Sequence, residues 1–278
     1  LEDPKESSVA ERRWSLNNQS TSSAVEFDVR DIGISFGGLA ACSHTSFTAI
    51  SGEVTSIIGP NGAGKTTLFN ILSGIYAPTS GEILYRGEHI EGLAPHEIAQ
   101  KGIIRTFQGA KIIKRLSVLD NLLLAAQGNP GEHLWSIFTP GARKRFEAEQ
   151  TERAMELLER VGLTRLAHEY GGILSGGQRK LVDLARSMMA RPTALLLDEP
   201  FAGVNPTLVE KLVEVLNGMK KEHKVTIMLI EHDLETVMSI SDKVIVMSRG
   251  TPIAEGLPNS IYENNDVIEA YLGSRRGA

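Results

Sequence analysis

Apolar and polar residues alternate along residues 25–57, and Gly37-Gly38 and Ser51-Gly52 interrupt the alternation. A period of two residues with glycine breaks is typical of half-buried strands joined by tight turns. Residues 80–90 show a second, shorter pattern of this kind. The sequence therefore predicts an N-terminal antiparallel β subdomain.

The period changes to that of a helix from Leu116 to about Leu166, with a loop or broken helix at residues 128–141. From Gln178 onward, helical stretches alternate with short apolar strands such as Ala194–Leu197. Alternating strands and helices are typical of a mainly parallel sheet. The predicted fold class is α/β, with an α-helical subdomain inserted at about 109–190. The face predicted to be buried on the inserted helix carries Ala154, Leu157, Leu158 and Val161.

Composition sets the limits of the main domain, which we place at residues 25–273. Residues 1–24 are polar and rich in Ser and Asn, which predicts a disordered tail, and residues 274–278 form a short C-terminal tail.

The 278 residues carry a net charge of −5, which gives no electrostatic case for nucleic-acid binding. Cys42 is the single cysteine, so an intrachain disulfide is excluded. No apolar run approaches the roughly 18 residues of a membrane span, so we expect any work at a membrane to involve partner subunits.

Residues 54–73 contain the pattern Gly59-x-x-x-x-Gly64-Lys65-Thr66 between a predicted buried strand and a helix. Glycines let the backbone curl its N–H groups around phosphates, Lys65 supplies an ammonium and the Thr66 hydroxyl suits Mg²⁺. A glycine-rich turn before a helix is the alternative interpretation. The predicted nucleotide-binding residues of this loop are Gly59, Pro60, Asn61, Gly62, Ala63, Gly64, Lys65, Thr66 and Thr67.

Two carboxylates, Asp198 and Glu199, end the apolar strand that begins at Ala194. A phosphate-binding loop requires a carboxylate near its Mg²⁺, and Asp198 is suited to this role. Glu199, one residue nearer to solvent, is the candidate general base for an attacking water. Capping of the next helix is the alternative role for this pair.

The turn Leu174-Ser175-Gly176-Gly177-Gln178 precedes a long helix and resembles a second anion site, because glycines, a hydroxyl and a helix N-terminus coincide. One chain would then have two phosphate-binding helix ends but only one lysine-bearing loop. A head-to-tail dimer resolves this mismatch if the turn closes on the γ-phosphate bound to the other chain. An ordinary glycine-rich helix start is the alternative.

In order and type, these motifs resemble those of the ATP-binding subunits of ABC transporters, over about residues 25–273. The resemblance implies that Gln108 approaches Mg²⁺ or the attacking water and links the core to a membrane subunit. It also implies that His232 contacts the γ-phosphate; without the resemblance, a lone histidine at this position would be interpreted as structural. Finally, it implies that Phe36 stacks on adenine, and the alternative for Phe36 is an aromatic residue of the core. Expected ligands are ATP and Mg²⁺, the latter held by Thr66, Gln108 and Asp198. Asn205 departs from the family, which usually has Asp in this loop to couple the two sites.

Several stretches look like the ATPases of branched-chain amino acid importers, including Ile104–Gln108, Ala202–Pro206 and the ending Val267–Gly273. That resemblance implies a homodimer, or a heterodimer with a related ATPase. Its partners would be membrane permease subunits and, indirectly, a solute-binding protein, at the cytoplasmic face of the inner membrane. An ATPase of a lipid or lipopolysaccharide export system is the first alternative. A soluble ABC protein without a transport role is the second.

Overall fold

The computed structural model describes residues 24–106, 112–127 and 140–273. Gln108, the C-terminal tail, all of the predicted N-terminal tail except Ala24, and most of the 128–141 segment lie outside the described residues. The strands are β1 (Val25–Phe36), β2 (Leu39–Ile50), β3 (Val54–Ile58), β4 (Ser80–Tyr85), β5 (Glu88–His89), β6 (Ile103–Arg105), β7 (Ala194–Asp198), β8 (Thr226–Ile230), β9 (Lys243–Ser248) and β10 (Thr251–Gly256).

Nine α-helices lie within the described residues. They are α1 (Lys65–Leu72), α2 (Pro95–Gln100), α3 (Val118–Leu123), α4 (Pro140–Arg160), α5 (Gly176–Met189), α6 (Pro206–His223), α7 (Leu234–Ile240), α8 (Pro258–Tyr262) and α9 (Asn265–Gly273). Short 3-10 turns at Thr164–Leu166 and Gly171–Ile173 lie between α4 and α5. None of these described helices combines the length and the apolar character that crossing a lipid bilayer requires.

The strands form two sheets. The first has the order β2-β1-β4-β5, and its pairs β1–β2, β1–β4 and β4–β5 are antiparallel. The second has the order β10-β9-β3-β8-β7-β6, and β3 lies parallel to both β8 and β9. The predicted fold class is confirmed: an antiparallel β subdomain, a sheet with a parallel centre, and a set of additional helices.

The chain folds into two compact units. The first comprises the described residues up to Ile103, together with Thr193–Leu196 and those from Asn217 onward. The second comprises the described residues of Ile104–Pro192 and Leu197–Leu216. The predicted subdomain limits of about 109–190 stay a prediction.

The core of the first unit is built from alternating residues of both sheets and from one face of α1. Strand β3 is buried at every position, as expected for a central strand of a parallel sheet. The largest buried side chains of this core include Phe27, Ile57, Leu68, Phe69, Leu72 and Ile83. This core fixes the two ends of the loop that follows β3.

Helices α3, α4 and α5 pack together in the second unit. The predicted helical face is confirmed, because Ala154, Leu157, Leu158 and Val161 are all buried. The opposite side of α4 carries the exposed ion pair Arg145–Glu149. The helical pattern from Leu116 is divided between α3, which ends at Leu123, and α4, which starts at Pro140.

Candidate functional site: a nucleotide-binding loop and a carboxylate turn

The loop after β3 adopts a backbone that only glycine accepts at two positions. Gly59, Gly62 and Gly64 have φ angles of 146°, 78° and 96°. A Cβ on Gly59 would lie 2.1 Å from the Met247 carbonyl oxygen, and one on Gly64 would lie 2.3 Å from the Ala41 carbonyl oxygen. The loop is therefore held between β9 on one side and β2 on the other.

A second glycine turn, after β9, fixes the same loop. The Gly250 N–H donates to the Ala63 carbonyl over 3.0 Å. The Gly250 carbonyl accepts from the Ser43 N–H over 2.8 Å and from the Thr45 hydroxyl over 3.1 Å. Gly250 thus bridges the phosphate-binding loop and β2. This bridge was not predicted, because the Arg249-Gly250 pair has only the signature of an ordinary turn.

Lys65 and Thr66 begin α1 at the end of the loop. The Lys65 ammonium is buried and donates to the carbonyls of Gly59 and Pro60 over 2.7 and 3.0 Å. Thr66 is exposed, and the first turn of α1 holds no acidic residue. Free helix N–H groups, a positive dipole end and a fixed ammonium form an environment that suits phosphate.

Phe36 ends β1, and its exposed fraction of 46% contradicts the alternative of a core aromatic. Its ring meets that of Tyr76 edge-on, with centroids 5.2 Å apart and an interplanar angle of 63°. The two rings form a small aromatic surface, which can stack a base because every base has a π-face. Tyr76 was not predicted, since it lies outside any motif.

His232 follows β8, whose Ile230 pairs with Ile57 of the neighbouring β3. The strands are parallel, so His232 and the start of the phosphate-binding loop lie at the same edge of the sheet. The His232 side chain is 60% exposed, with its Nδ1 3.8 Å from a carboxylate oxygen of the buried Glu231. The first unit thus brings together the phosphate-binding loop and His232.

The second unit contains the two carboxylates at the end of β7. Asp198 is buried, and one of its oxygens accepts a hydrogen bond from the Arg105 guanidinium over 3.1 Å. Burial lowers the pKa of Arg105, and the Asp198 carboxylate acts in the opposite direction. Arg105 belongs to the motif that carries Gln108, but its role as the partner of Asp198 was not predicted.

Glu199 is half-buried and adopts a left-handed backbone conformation, with φ at 51°. Such a conformation is uncommon for a non-glycine residue and is concentrated at functional sites. The Lys180 ammonium donates to the carbonyl of Glu199 over 2.9 Å and to that of Ala202 over 2.6 Å. The turn after β7 is therefore fixed from helix α5.

The turn at Ser175 is a capping box in which each side chain satisfies the other residue's backbone. The Ser175 hydroxyl accepts from the Gln178 N–H over 3.2 Å, and Gln178 Oε1 accepts from the Ser175 N–H over 2.9 Å. A Cβ on Gly176 would meet nothing within 4 Å, whereas one on Gly177 would lie 2.5 Å from Leu208 Cδ1. One glycine thus faces open space and the other packs on α6.

Asn205, the departure from the family pattern, caps helix α6. Its Oδ1 accepts a hydrogen bond from the Leu208 N–H over 2.9 Å. Asn and Asp are equally good helix N-caps, so the replacement keeps this structural role while removing a charge.

The residues fit ATP with Mg²⁺ better than a metal held by protein alone. Among the described residues, no group of three or more His, Cys, Asp or Glu side chains could hold a metal ion. Mg²⁺ usually takes only one or two protein oxygens and completes its shell with phosphates and water. The exposed Thr66 hydroxyl and the Asp198 carboxylate are donors of the right chemistry, and Gln108 lies outside the described residues.

Comparison with known proteins agrees with this chemistry. A profile of the ABC transporter family matches residues 42–202. The chain therefore belongs to the ABC transporter family, and it is an ATPase built on that family's ATP-binding cassette.

Individual relatives indicate which ABC ATPases the chain is similar to in sequence and structure. The chain is 44% identical over 247 residues to the high-affinity branched-chain amino acid transport ATP-binding protein BraF of Pseudomonas aeruginosa, covering 88% of this chain and 97% of BraF. It is 43% identical to LivG of Escherichia coli, which bears the same description, covering 88% and 96%. A nucleotide-free ATP-binding cassette from an ABC transporter superposes with a TM-score of 0.77 at 34% identity, covering 89% and 98%.

Proposed function

We propose that this chain is the ATP-hydrolysing subunit of an importer for branched-chain or related amino acids, acting through separate membrane subunits. The observation that carries the proposal is the 44% identity to BraF, which extends over 97% of that protein. The inserted helices, a region in which ABC subfamilies can differ, fall within this nearly full-length alignment.

The nucleotide would be held by the first unit. In this proposal the loop from Gly59 to Thr67 binds the phosphates, with Lys65 on the β- and γ-phosphates, and Phe36 stacks on the adenine. The buried position of Lys65 supports this role, since an ammonium already fixed beside the loop loses little freedom on binding phosphate. Mg²⁺, when bound, would supply positive charge that neutralises the charge developing on the phosphates. Thr66, Asp198 and Gln108 are the residues proposed to hold it.

Hydrolysis requires a water oriented toward the γ-phosphate and a group that takes its proton. We assign the proton to the Glu199 carboxylate, with His232 contacting the γ-phosphate and Gln108 beside the water. The half-buried, left-handed Glu199 supports the assignment, because strained backbone of this kind is concentrated at catalytic turns.

A second copy, or a related ATPase, would complete each site. The turn from Ser175 to Gln178 presents a capped helix N-terminus and the open face of Gly176. In the proposal this surface closes on the γ-phosphate bound to the partner subunit. ATP then joins the two subunits, and hydrolysis separates them.

We place the chain at the cytoplasmic face of the inner membrane as a peripheral subunit. Its proposed partners are two permease subunits and, indirectly, a solute-binding protein. The proposal includes no nucleic-acid partner, in line with the net charge of −5.

Co-purification tests the proposal. The tagged chain, purified from its native membranes, should bring down integral-membrane permease subunits. After reconstitution, its ATPase should be stimulated by a binding protein loaded with leucine, isoleucine or valine. Unloaded binding protein is the control. If only amides or urea stimulate the ATPase activity, the substrate is of that class and is not a branched-chain amino acid. Recovery of the tagged chain with lipid-export subunits would overturn the importer assignment.

A further inference from the structure

Lys180 connects the helix that starts at the Ser175 turn with the turn that carries Glu199. Its ammonium lies 2.9 Å from the Glu199 carbonyl oxygen and 2.6 Å from the Ala202 carbonyl oxygen, distances of good hydrogen bonds. An ammonium that donates to two carbonyls of one turn fixes the separation of those carbonyls. Lys180 is itself half-buried on α5.

The turn benefits from this support because its backbone is unusual. Glu199 has φ at 51°, and the closing bond from the Ala202 N–H to the Glu199 carbonyl is long, at 3.4 Å. The carbonyl that accepts this weak bond is the one that Lys180 also binds. Loss of the ammonium would remove one of the contacts that hold the turn carrying Glu199.

The same helix contacts the following loop at a second point. Gly177 lies so close to α6 that a Cβ there would be 2.5 Å from Leu208 Cδ1 and 3.6 Å from Val204 Cγ1. Two separate contacts, one at Gly177 and one at Lys180, join the first turns of α5 to residues 199–208. The Ser175 turn and the Glu199 turn are therefore joined through one set of packed residues.

We propose that Lys180 is a positioning residue for ATP hydrolysis, which holds the Glu199 turn and couples it to the helix that carries the Ser175 turn. This inference rests on the proposed function, in which Ser175 meets the nucleotide of the partner subunit and Glu199 serves the nucleotide of its own chain. Closure on one nucleotide then aligns the base at the other. Lys180 touches neither nucleotide in this scheme.

The test compares Lys180→Met, which keeps the aliphatic stem, with Lys180→Arg, which restores donors. Lys211→Met is the matched control, because Lys211 forms an ion pair with Glu214 at the surface of α6 and holds no turn of the site. The full-length chain is used throughout. Measurements are kcat, KM for ATP, equilibrium binding of ATP, ATP-driven dimer formation by size-exclusion chromatography, and the melting temperature.

We expect Lys180→Met to lower kcat by about 10- to 100-fold, the effect of a misplaced catalytic group. KM, ATP binding and ATP-driven dimer formation should stay within about threefold of the wild type, because no phosphate contact is lost. Lys180→Arg should recover most of kcat, and Lys211→Met should match the wild type.

If Lys180→Met keeps kcat within about twofold of the wild-type value, the inference is overturned and the proposed function is unaffected. A parallel loss of kcat, ATP affinity and melting temperature that Arg does not rescue also overturns it, since that result indicates a purely structural role. Absence of ATPase activity in the wild-type chain would instead overturn the proposed function together with the inference.

Discussion

The Arg105 guanidinium donates to the Asp198 carboxylate over 3.1 Å, with side chains only 6% and 3% exposed. A buried carboxylate needs such a partner, because the protein interior solvates charge poorly. The pair joins β6, which precedes the Gln108 segment, to β7, which ends at the candidate Mg²⁺ ligand Asp198, one residue before the candidate base Glu199.

Replacement of Arg105 by Met should reduce the free energy of unfolding by about 3 kcal/mol, because it leaves the Asp198 charge buried without this partner. Urea unfolding without nucleotide measures the loss. Arg143→Met removes an exposed ion pair with Glu147 and should cost less than about 0.5 kcal/mol. Arg105→Met combined with Asp198→Asn should recover part of the loss. Equal stabilities for the Arg105 and Arg143 variants would contradict the prediction.

Gly64→Ala should abolish nucleotide binding and lower the stability of the apo chain by about 3 kcal/mol, since it combines a left-handed backbone with a backbone clash. The added Cβ would lie 2.3 Å from the Ala41 carbonyl oxygen. Gly62→Ala is the matched control. That position also has a positive φ, but a Cβ there meets nothing within 4 Å, so the cost should be about 1 kcal/mol. Thermal melting without nucleotide separates the two, and similar melting temperatures would argue against the clash.

Local patterns predicted what depends on neighbours in sequence. The period-two alternation correctly predicted both hairpins, because each strand's pairing partner lies next to it in the chain. The short run of strand-forming residues in β3 and the glycine spacing after it predicted the strand, loop and helix of the phosphate-binding segment. The i, i+3, i+4 pattern likewise identified the buried face of α4.

Contacts between distant segments were not predictable in this way. Arg105 and Asp198 are 93 residues apart, and their meeting depends on β6 lying beside β7 in the sheet. Gly250 reaches Ala63 only because β9 pairs with β3. Lys180 has the appearance of an ordinary helical lysine until the turn at Glu199 is seen beside it. The motifs can be identified in the sequence, whereas the identity of the distant side chains that contact them depends on strand order and helix packing.

Glu199→Gln should reduce turnover by about 100-fold or more, because an amide cannot take the proton of the attacking water. ATP binding should persist, since no phosphate contact is removed, and the ATP-bound dimer should accumulate. Size-exclusion chromatography with ATP and a phosphate-release assay measure the two effects. Glu210→Gln, at an exposed position of α6, is the control and should behave as the wild type. Near-normal turnover of Glu199→Gln would remove Glu199 as the base.

Cys42 should resist alkylation in the native chain up to about pH 10, because its reactive thiolate is scarce as well as enclosed. Burial raises the pKa of its thiol from the ordinary 9.0 to about 11. The raised pKa means that this thiol favours the folded state below pH 9, and that the contribution is lost as the pH rises through about 11. Iodoacetamide labelling of native and denatured chain from about pH 7 to 10 tests the prediction. Equal labelling rates of the two forms would contradict it, and Cys42→Ala should lack this contribution to the pH dependence of stability.

The open face of Gly176 provides a test of where the Ser175 turn acts. A Cβ at this position meets nothing within the described chain, so Gly176→Asp and Gly176→Asn should both fold with wild-type stability. Asp places a negative charge at the helix N-terminus, where it suits the helix dipole but repels a phosphate. The neutral Asn has the same size and separates crowding from charge.

We expect Gly176→Asp to reduce ATP hydrolysis by about 100-fold and to prevent ATP-driven dimer formation, with Gly176→Asn affected much less. Binding of ATP to the monomeric chain should be unchanged in both variants, because the repelled phosphate belongs to the partner's nucleotide. Fluorescence titration under dilute, monomeric conditions measures that affinity. A large loss of monomer affinity in Gly176→Asp alone would show that the turn serves the nucleotide of its own chain, and the two-subunit site would have to be abandoned.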